Sequence, residues 1–312
     1  MTKVGPTRDQ VVAFLASLHG EPVSELAPLD GGFWSSAFAY RLGGRELVLR
    51  IGSMSEGFEM DRWAMAFAGT DLPVPEVLDI GAGLGGSYAI SVRHHGRFLE
   101  DVRPDEADRA GPALMRLLAA LRAVPAPPSS PSSCYQGGAG STWRRWLTDG
   151  LVDDPRNQVS GWRATLAADP ALDRLFRACA RRIGELLEAC PERRDLVHGD
   201  LLHGNVLVAD DASEVTAVFS WKCSARGDSL YDVAWCTFWG TWHPGIAALH
   251  LWDRVGATST EDDFVDAALR HHCYELQIGA SHLGWHAWTD DDDGLRRVAA
   301  HTAEVLERGP FA

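Results

Sequence analysis

The hydrophobic pattern of this chain changes period about a third of the way along, and that change restricts the fold more than any single motif does. Through about residue 93 the apolar residues come in short runs broken by glycine: residues 33–40 (FWSSAFAY), 45–51 (RELVLRI) and 87–93 (SYAISVR). Runs of this length, alternating or apolar and bounded by turn residues, predict strands. Arg41-Leu42-Gly43-Gly44 predicts a hairpin turn between the first two. Residues 57–69 read as a helix inserted among the strands, and residues 72–81 (LPVPEVLDIG) as an extended connection held by two prolines. Ahead of the strands, Thr7 and Gln10 have capping-box spacing before an amphipathic run that ends at Gly20. From about residue 105 the period becomes helical, with long helical patterns at 141–149 and 170–190 and more to the C-terminus. A Pro/Ser-rich stretch, residues 125–133, reads as a surface loop. The expected architecture is α+β: a small antiparallel β lobe over residues 1–95 and a larger, mainly helical lobe over residues 96–312.

Composition narrows the partners. A net charge of −14 argues against nucleic acid and anionic membranes. An acidic surface suits a cationic small molecule, although it more often serves solubility. The six cysteines, at 134, 179, 190, 223, 236 and 273, have no CxxC spacing. They read as buried thiols in a reducing compartment, not as a zinc site. The N-terminus has no apolar h-region and no apolar run approaches membrane-spanning length, so a cytoplasmic protein is expected. The lysines are Lys3 and Lys222; every other cationic side chain apart from histidine is arginine.

The most informative stretch is LVHGDLLHGNVLV, residues 196–208. It sets Asp200 five residues before Asn205, in a loop between apolar flanks. That arrangement suits phosphoryl transfer. The acid can accept the proton of an attacking hydroxyl, and the amide can hold a metal that bridges phosphates. His198 reads as a support for the loop and not as a metal ligand. A few residues on comes VTAVFSWKC, residues 215–223.

These pieces resemble the aminoglycoside phosphotransferase family, relatives of the protein kinases. The matching stretches are GGRELVLRIG (43–52), EGFEMDRW (56–63), LPVPEVLDIG (72–81), LVHGDLLHGNVLV (196–208) and VTAVFSWKCSARGDSLYDVAW (215–235), in the family's order. The resemblance implies a bilobal, protein-kinase-like fold with ATP or GTP and Mg2+ in the cleft between the lobes. It implies transfer of the γ-phosphate to a hydroxyl of an aminoglycoside or related natural product, an antibiotic-resistance chemistry. A small-molecule acceptor, cationic or sugar-containing, would be held by the C-terminal helices. A protein-kinase role is disfavoured, because no activation-loop or APE signal is present.

By the same resemblance Asp200 is the catalytic base and Asn205 a metal ligand. Gly31, Gly32 and Ser35 fall at the phosphate-covering loop, which also carries Phe33 and Trp34. Arg50 stands where many kinases place a phosphate-anchoring lysine, with a different hydrogen-bonding geometry. Glu59 or Asp61 would orient it. Residues 91–95 form the hinge beside the nucleobase, with Ser91 and Arg93 as contacts. Asp228 and Asp232 resemble acids that brace the catalytic loop.

One departure stands out. Where the family ends a strand with a metal-binding acid, this chain reads Phe219-Ser220-Trp221, and Lys222 follows. On an extended segment 220 and 222 point the same way, so a negative charge is lost and a positive one gained beside the phosphates. Magnesium prefers hard anionic oxygen, and a serine hydroxyl is a weaker, neutral ligand. Asn205, Ser220 and Asp228 remain as the candidate metal ligands, with Lys222 a candidate phosphate contact. Three readings stay open: a kinase with rearranged ligands, a cleft turned over to a metal- and nucleotide-independent enzyme or binding protein, or a deliberate Asp-to-Ser replacement. On the acceptor side the candidates are Glu275, the run Asp290–Asp293, Trp239, Trp242, Trp285 and Trp288. The Asp run is better explained as a solvated loop or a helix N-terminus, and the tryptophans by default as core packing, with a flat or partly apolar ligand as the alternative. His271 and His272, adjacent on a helix, do not make a metal pair.

Overall fold

The computed structural model describes residues 5–29, 32–125, 142–258 and 265–311. Its N-terminal part is an antiparallel sheet in the order β1-β2-β3-β5-β4. The strands are β1 (Ser24–Leu29), β2 (Ser35–Leu42), β3 (Arg45–Gly52), β4 (Val77–Gly83) and β5 (Gly86–Val92). Helix α1 (Arg8–His19) opens the chain on the expected capping box and closes at Gly20 in the left-handed conformation. Its Val11 and Leu15 pack with Leu49, Ile51, Tyr88 and Ile90 of the sheet. The β2–β3 turn is Gly43-Gly44, with φ of 54° and 81°. That is the pair of positive φ values a two-residue hairpin needs.

Sequence pattern missed the two edge strands. β1 contains Pro28, and β4 lies in the stretch read as an extended connection, just after Pro73 and Pro75. Proline is tolerated at a sheet edge because that side of the strand donates no ladder bonds. The inserted helix α2 is shorter than expected, Glu56–Ala64, and tightens into a 3-10 turn at Met65–Phe67.

The C-terminal part is mainly helical. Helices Pro170–Leu186 and Leu230–Gly240 pack against a long central helix, Ala267–Trp288, which is buried along most of its length. A C-terminal helix, Asp292–Arg308, covers the same element. The described part of the predicted 141–149 helix is Trp143–Asp149, capped by Thr142. The same part also carries short strands: β6 (Arg97–Phe98), β7 (Asp195–Val197), β8 (Val206–Val208), β9 (Val215–Val218) and β10 (Ala225–Gly227). They pair as β6-β8-β9 and β10-β7. The expected α+β order, antiparallel sheet first and helices after, is the one observed. The stretch 126–133 of the predicted loop and Cys134 lie outside the described residues. Cys179, Cys190, Cys236 and Cys273 are buried thiols. No helix among the described residues is long and apolar enough to cross a membrane.

Candidate active site

The loop between β7 and β8 is built around Asp232. Its buried carboxylate accepts the backbone N–H groups of His198 (2.9 Å) and Gly199 (2.8 Å). Burial pushes Asp232 up to about 7, and the two N–H bonds pull the other way. Gly199 is required: its φ is 75°, and a Cβ there would sit 2.7 Å from the Cys223 carbonyl oxygen. His198 is fully buried and held below the usual imidazole range by desolvation. The Asp200 N–H donates to its Nδ1 (3.2 Å), so Nε2 carries the proton and donates to the Phe219 carbonyl (3.2 Å). It is a brace, as expected.

Asp200 emerges from this loop into a large cavity of about 1010 Å³. Its Oδ1 lies 2.8 Å from His203 Nδ1. Burial lowers the pKa of His203, but Asp200's charge and hydrogen bond outweigh that, and the net shift is upward. His203 sits at φ 61°, followed by Gly204 at φ 76°, whose N–H donates to Glu100. These two left-handed residues return the chain so that Asn205 Nδ2 can donate to the Asp200 carbonyl at 3.0 Å. Asn205 and Asp200 line the same cavity. Sequence reasoning did not single out His203; its place inside the Asp200–Asn205 spacing was the available signal.

Arg50, central on β3, and Asp61, on α2, form an ion pair in the same cavity. Asp61, and not Glu59, is the partner. The second Asp61 oxygen accepts the Trp221 N–H at 2.8 Å. One carboxylate therefore ties the β3 arginine to the segment after β9. Gly32, Ser35, Ser91 and Arg93 also line the cavity; Gly31 lies outside the described residues.

Ser220 and Lys222 both line the cavity, but not by strand alternation. Ser220 is left-handed (φ 69°, ψ 55°), and Trp221–Cys223 form a 3-10 turn. The extended geometry expected there is corrected: the strand stops at Val218. Lys222 Nζ lies 4.1 Å from the Trp34 ring centroid and donates to Gln158 Oε1 at 3.2 Å.

Two candidates are placed elsewhere. Asp228 is buried and does not line the cavity; its Oδ2 accepts the Tyr274 hydroxyl (2.9 Å) and faces Arg270 (3.3 Å). Its carboxylate is fully committed to fastening helices, so it does not substitute for the missing acid. Glu275, proposed for the acceptor, is buried on Arg308, His271 and Thr237. Of the tryptophans, Trp239, Trp242 and Trp285 line the cavity, whereas Trp288 packs behind Trp34 and Trp285. In the Asp run, Asp291 caps the C-terminal helix by accepting the Gly294 N–H.

The magnesium ion implied by the resemblance does not fit this donor set. Where it would sit, the chain offers one carboxylate (Asp200), one amide (Asn205) and one hydroxyl (Ser220), with the Lys222 ammonium in the same wall. Magnesium keeps few protein ligands and needs anionic oxygen among them. Asp200 already carries a histidine. Among the described residues no three His, Cys, Asp or Glu side chains come together as a metal site.

Known proteins share the fold that carries this site. The profile of the phosphotransferase enzyme family matches residues 25–272. Hygromycin-B 4-O-kinase of Escherichia coli is 37% identical over 234 residues, covering 71% of this chain and 64% of that protein. The match thus spans less than two thirds of that relative's length. Aminoglycoside phosphotransferase APH(4)-Ia superposes with a TM-score of 0.84 at 28% identity, over 97% of this chain and 99% of that one. A ternary complex of a thermostable mutant of the same enzyme with AMP-PNP and hygromycin B gives 0.82 at 28% identity, over 96% and 98%.

Proposed function

The chain belongs to the phosphotransferase enzyme family, and from that premise we propose that it transfers the γ-phosphate of ATP or GTP to a hydroxyl of a small molecule. The N-terminal region, residues 1–95, holds the nucleotide, and residues 96–312 carry the catalytic loop and the acceptor. The observation that carries this reading is the convergence of Asp200 and Arg50 on one cavity, each fixed by its own buried partner, Asp232 beneath the loop and Asp61 beside the arginine. The relatives that bind AMP-PNP and hygromycin B support the reaction class.

In the reaction the acceptor O–H gives its proton to Asp200. The oxygen forms a bond to the γ-phosphorus as the bond to the β-phosphate oxygen breaks, and the nucleoside diphosphate leaves. His203 holds Asp200 Oδ1, which leaves Oδ2 for the acceptor. Arg50 and Lys222 supply positive charge to the phosphates, and Asp61 keeps Arg50 directed. Gly32, Ser35, Ser91 and Arg93 border the nucleotide. General-base assistance of this kind contributes on the order of a hundred- to ten-thousandfold. No step here passes through a metal.

Ser220 and Lys222 favour a second reading: a cleft that handles no nucleotide, in which Asp200 serves another proton transfer or the protein only retains a ligand. The test is transfer of labelled γ-phosphate to a panel of hydroxyl-bearing small molecules, hygromycin B among them. Transfer that disappears in Asp200→Asn supports the kinase reading; transfer unaffected by that change, or none to any acceptor, overturns it.

A further inference from the structure

We infer that the acceptor end of the cavity selects a flat, aromatic, neutral or anionic alcohol and disfavours a polyamine such as an aminoglycoside. This rests on the phosphotransferase reading of the same site.

The wall at the helical end is built from Trp146, Tyr231, Trp235, Trp239, Trp242 and Trp285. Trp239 lies 5.3 Å from Trp242 and 4.9 Å, edge-on, from His282. These rings pack on one another, with Trp146, Tyr231, Trp235 and Trp239 buried, and the partly exposed Trp242 and Trp285 are the ones against which a ligand ring can be laid. The imidazoles among them are held toward the neutral form. Burial pushes His282 down to about 3, and it lowers His243 and His286 as well. His282 Nδ1 donates to the Ile278 carbonyl at 2.7 Å, which leaves Nε2 as a neutral acceptor suited to a hydroxyl. The indole N–H groups of Trp235 and Trp239 are buried without a protein acceptor among the described residues, so this wall is richer in donors than in anions.

Charge decides the class. Arg50, Arg93 and Lys222 belong to the nucleotide side of the cavity; at the aromatic end the lining cation is Arg297, and the lining carboxylate among the described residues is Asp200, which His203 already holds. Asp61 is committed to Arg50 and the Trp221 N–H. Two acids near this end are committed elsewhere, Glu275 to Arg308 and Asp291 to His286 and the helix cap, and Glu100 does not line the cavity. Each ammonium of a polyamine carries three donors that want acceptors, ideally anionic ones. An aromatic face can attract one cation, but Lys222 already occupies the face of Trp34. The chain's net charge of −14 acts at long range, where salt screens it, and does not supply local acceptors for an ammonium at this end.

The test reads binding by tryptophan fluorescence and calorimetry without nucleotide, using 2-naphthol, 4-hydroxycinnamate and hygromycin B as probes. The expected result is saturable binding of the two aromatics, with hygromycin B weaker by about tenfold or more. Trp285→Ala, at the partly exposed rim, weakens both aromatics. Arg297→Glu weakens 4-hydroxycinnamate alone and leaves 2-naphthol unchanged. Tighter binding of hygromycin B, or binding of neither aromatic, overturns the inference. Phosphate transfer to a bound probe is read separately. Aromatic binding without transfer sinks the kinase reading and leaves this inference standing; transfer to hygromycin B alone does the reverse.

Discussion

The loop from His198 to Asn205 and the turn from Phe219 to Cys223 border the same cavity, yet they have been shaped by different demands. The loop is held from within: Asp232 under the backbone, His198 bridging to Phe219, His203 on Asp200 Oδ1, Asn205 back to the Asp200 carbonyl. The turn is anchored from outside, by Asp61 on the Trp221 N–H and by Trp221 packed against His198 at 4.7 Å. Of its cavity-lining residues, Ser220 is neutral and Lys222 cationic, where a divalent ion would want anionic oxygen. On the proposed reading, the half of the site that would accept the proton keeps its bracing while the half that would hold a metal carries a cation in place of an acid.

Changes on either side should separate these halves. The largest effect is expected for Asp200→Asn, which lowers phosphate transfer about a thousandfold while nucleotide binding, read by calorimetry, stays near that of the parent. Asp61→Asn attacks the anchor of the turn. It strands the partly buried Arg50 and should cost about 3 kcal/mol of stability in denaturant unfolding. Equal stability would mean that the turn is held by packing alone. Lys222→Met should weaken nucleotide affinity roughly tenfold, the scale of one charge-assisted contact, with little change in melting temperature. The smallest effect concerns pH. His282 has a folded pKa of about 3 against an ordinary 6.5, so the unfolded chain binds the extra proton first as pH falls. Its contribution is fully present above about 6.5 and is lost as pH falls toward 3. A melting-temperature profile across that window should therefore be shallower in His282→Leu.

Much of this was legible in the sequence, for identifiable reasons. Asp200, Asn205 and Arg50 lie on short segments whose local pattern fixes them: a loop between apolar triplets, and the centre of an alternating strand. The helix cap at Asp291 was readable because acids gather where a helix begins. Asp228, read both as a brace and as a spare metal ligand, and Glu275, read as an acceptor contact, show that a buried acid and a site acid look alike in sequence. Only the fold reveals that Arg270, Tyr274 and Arg308 have taken them. β1 and β4 were missed because edge strands tolerate proline and need no strong alternation. The left-handed Ser220 was invisible, since serine gives no hint of positive φ, and the direction argument for residues 220 and 222 failed with it.

The central claim is that the turn offers the cavity a hydroxyl and a cation but no carboxylate, and nucleotide-binding calorimetry with and without magnesium tests it most directly. The comparison is between the protein as it stands and Ser220→Asp. The account predicts nucleotide binding by the parent that changes little with magnesium, and a clear magnesium dependence gained in Ser220→Asp. Strict magnesium dependence in the parent, unchanged by the substitution, would contradict it.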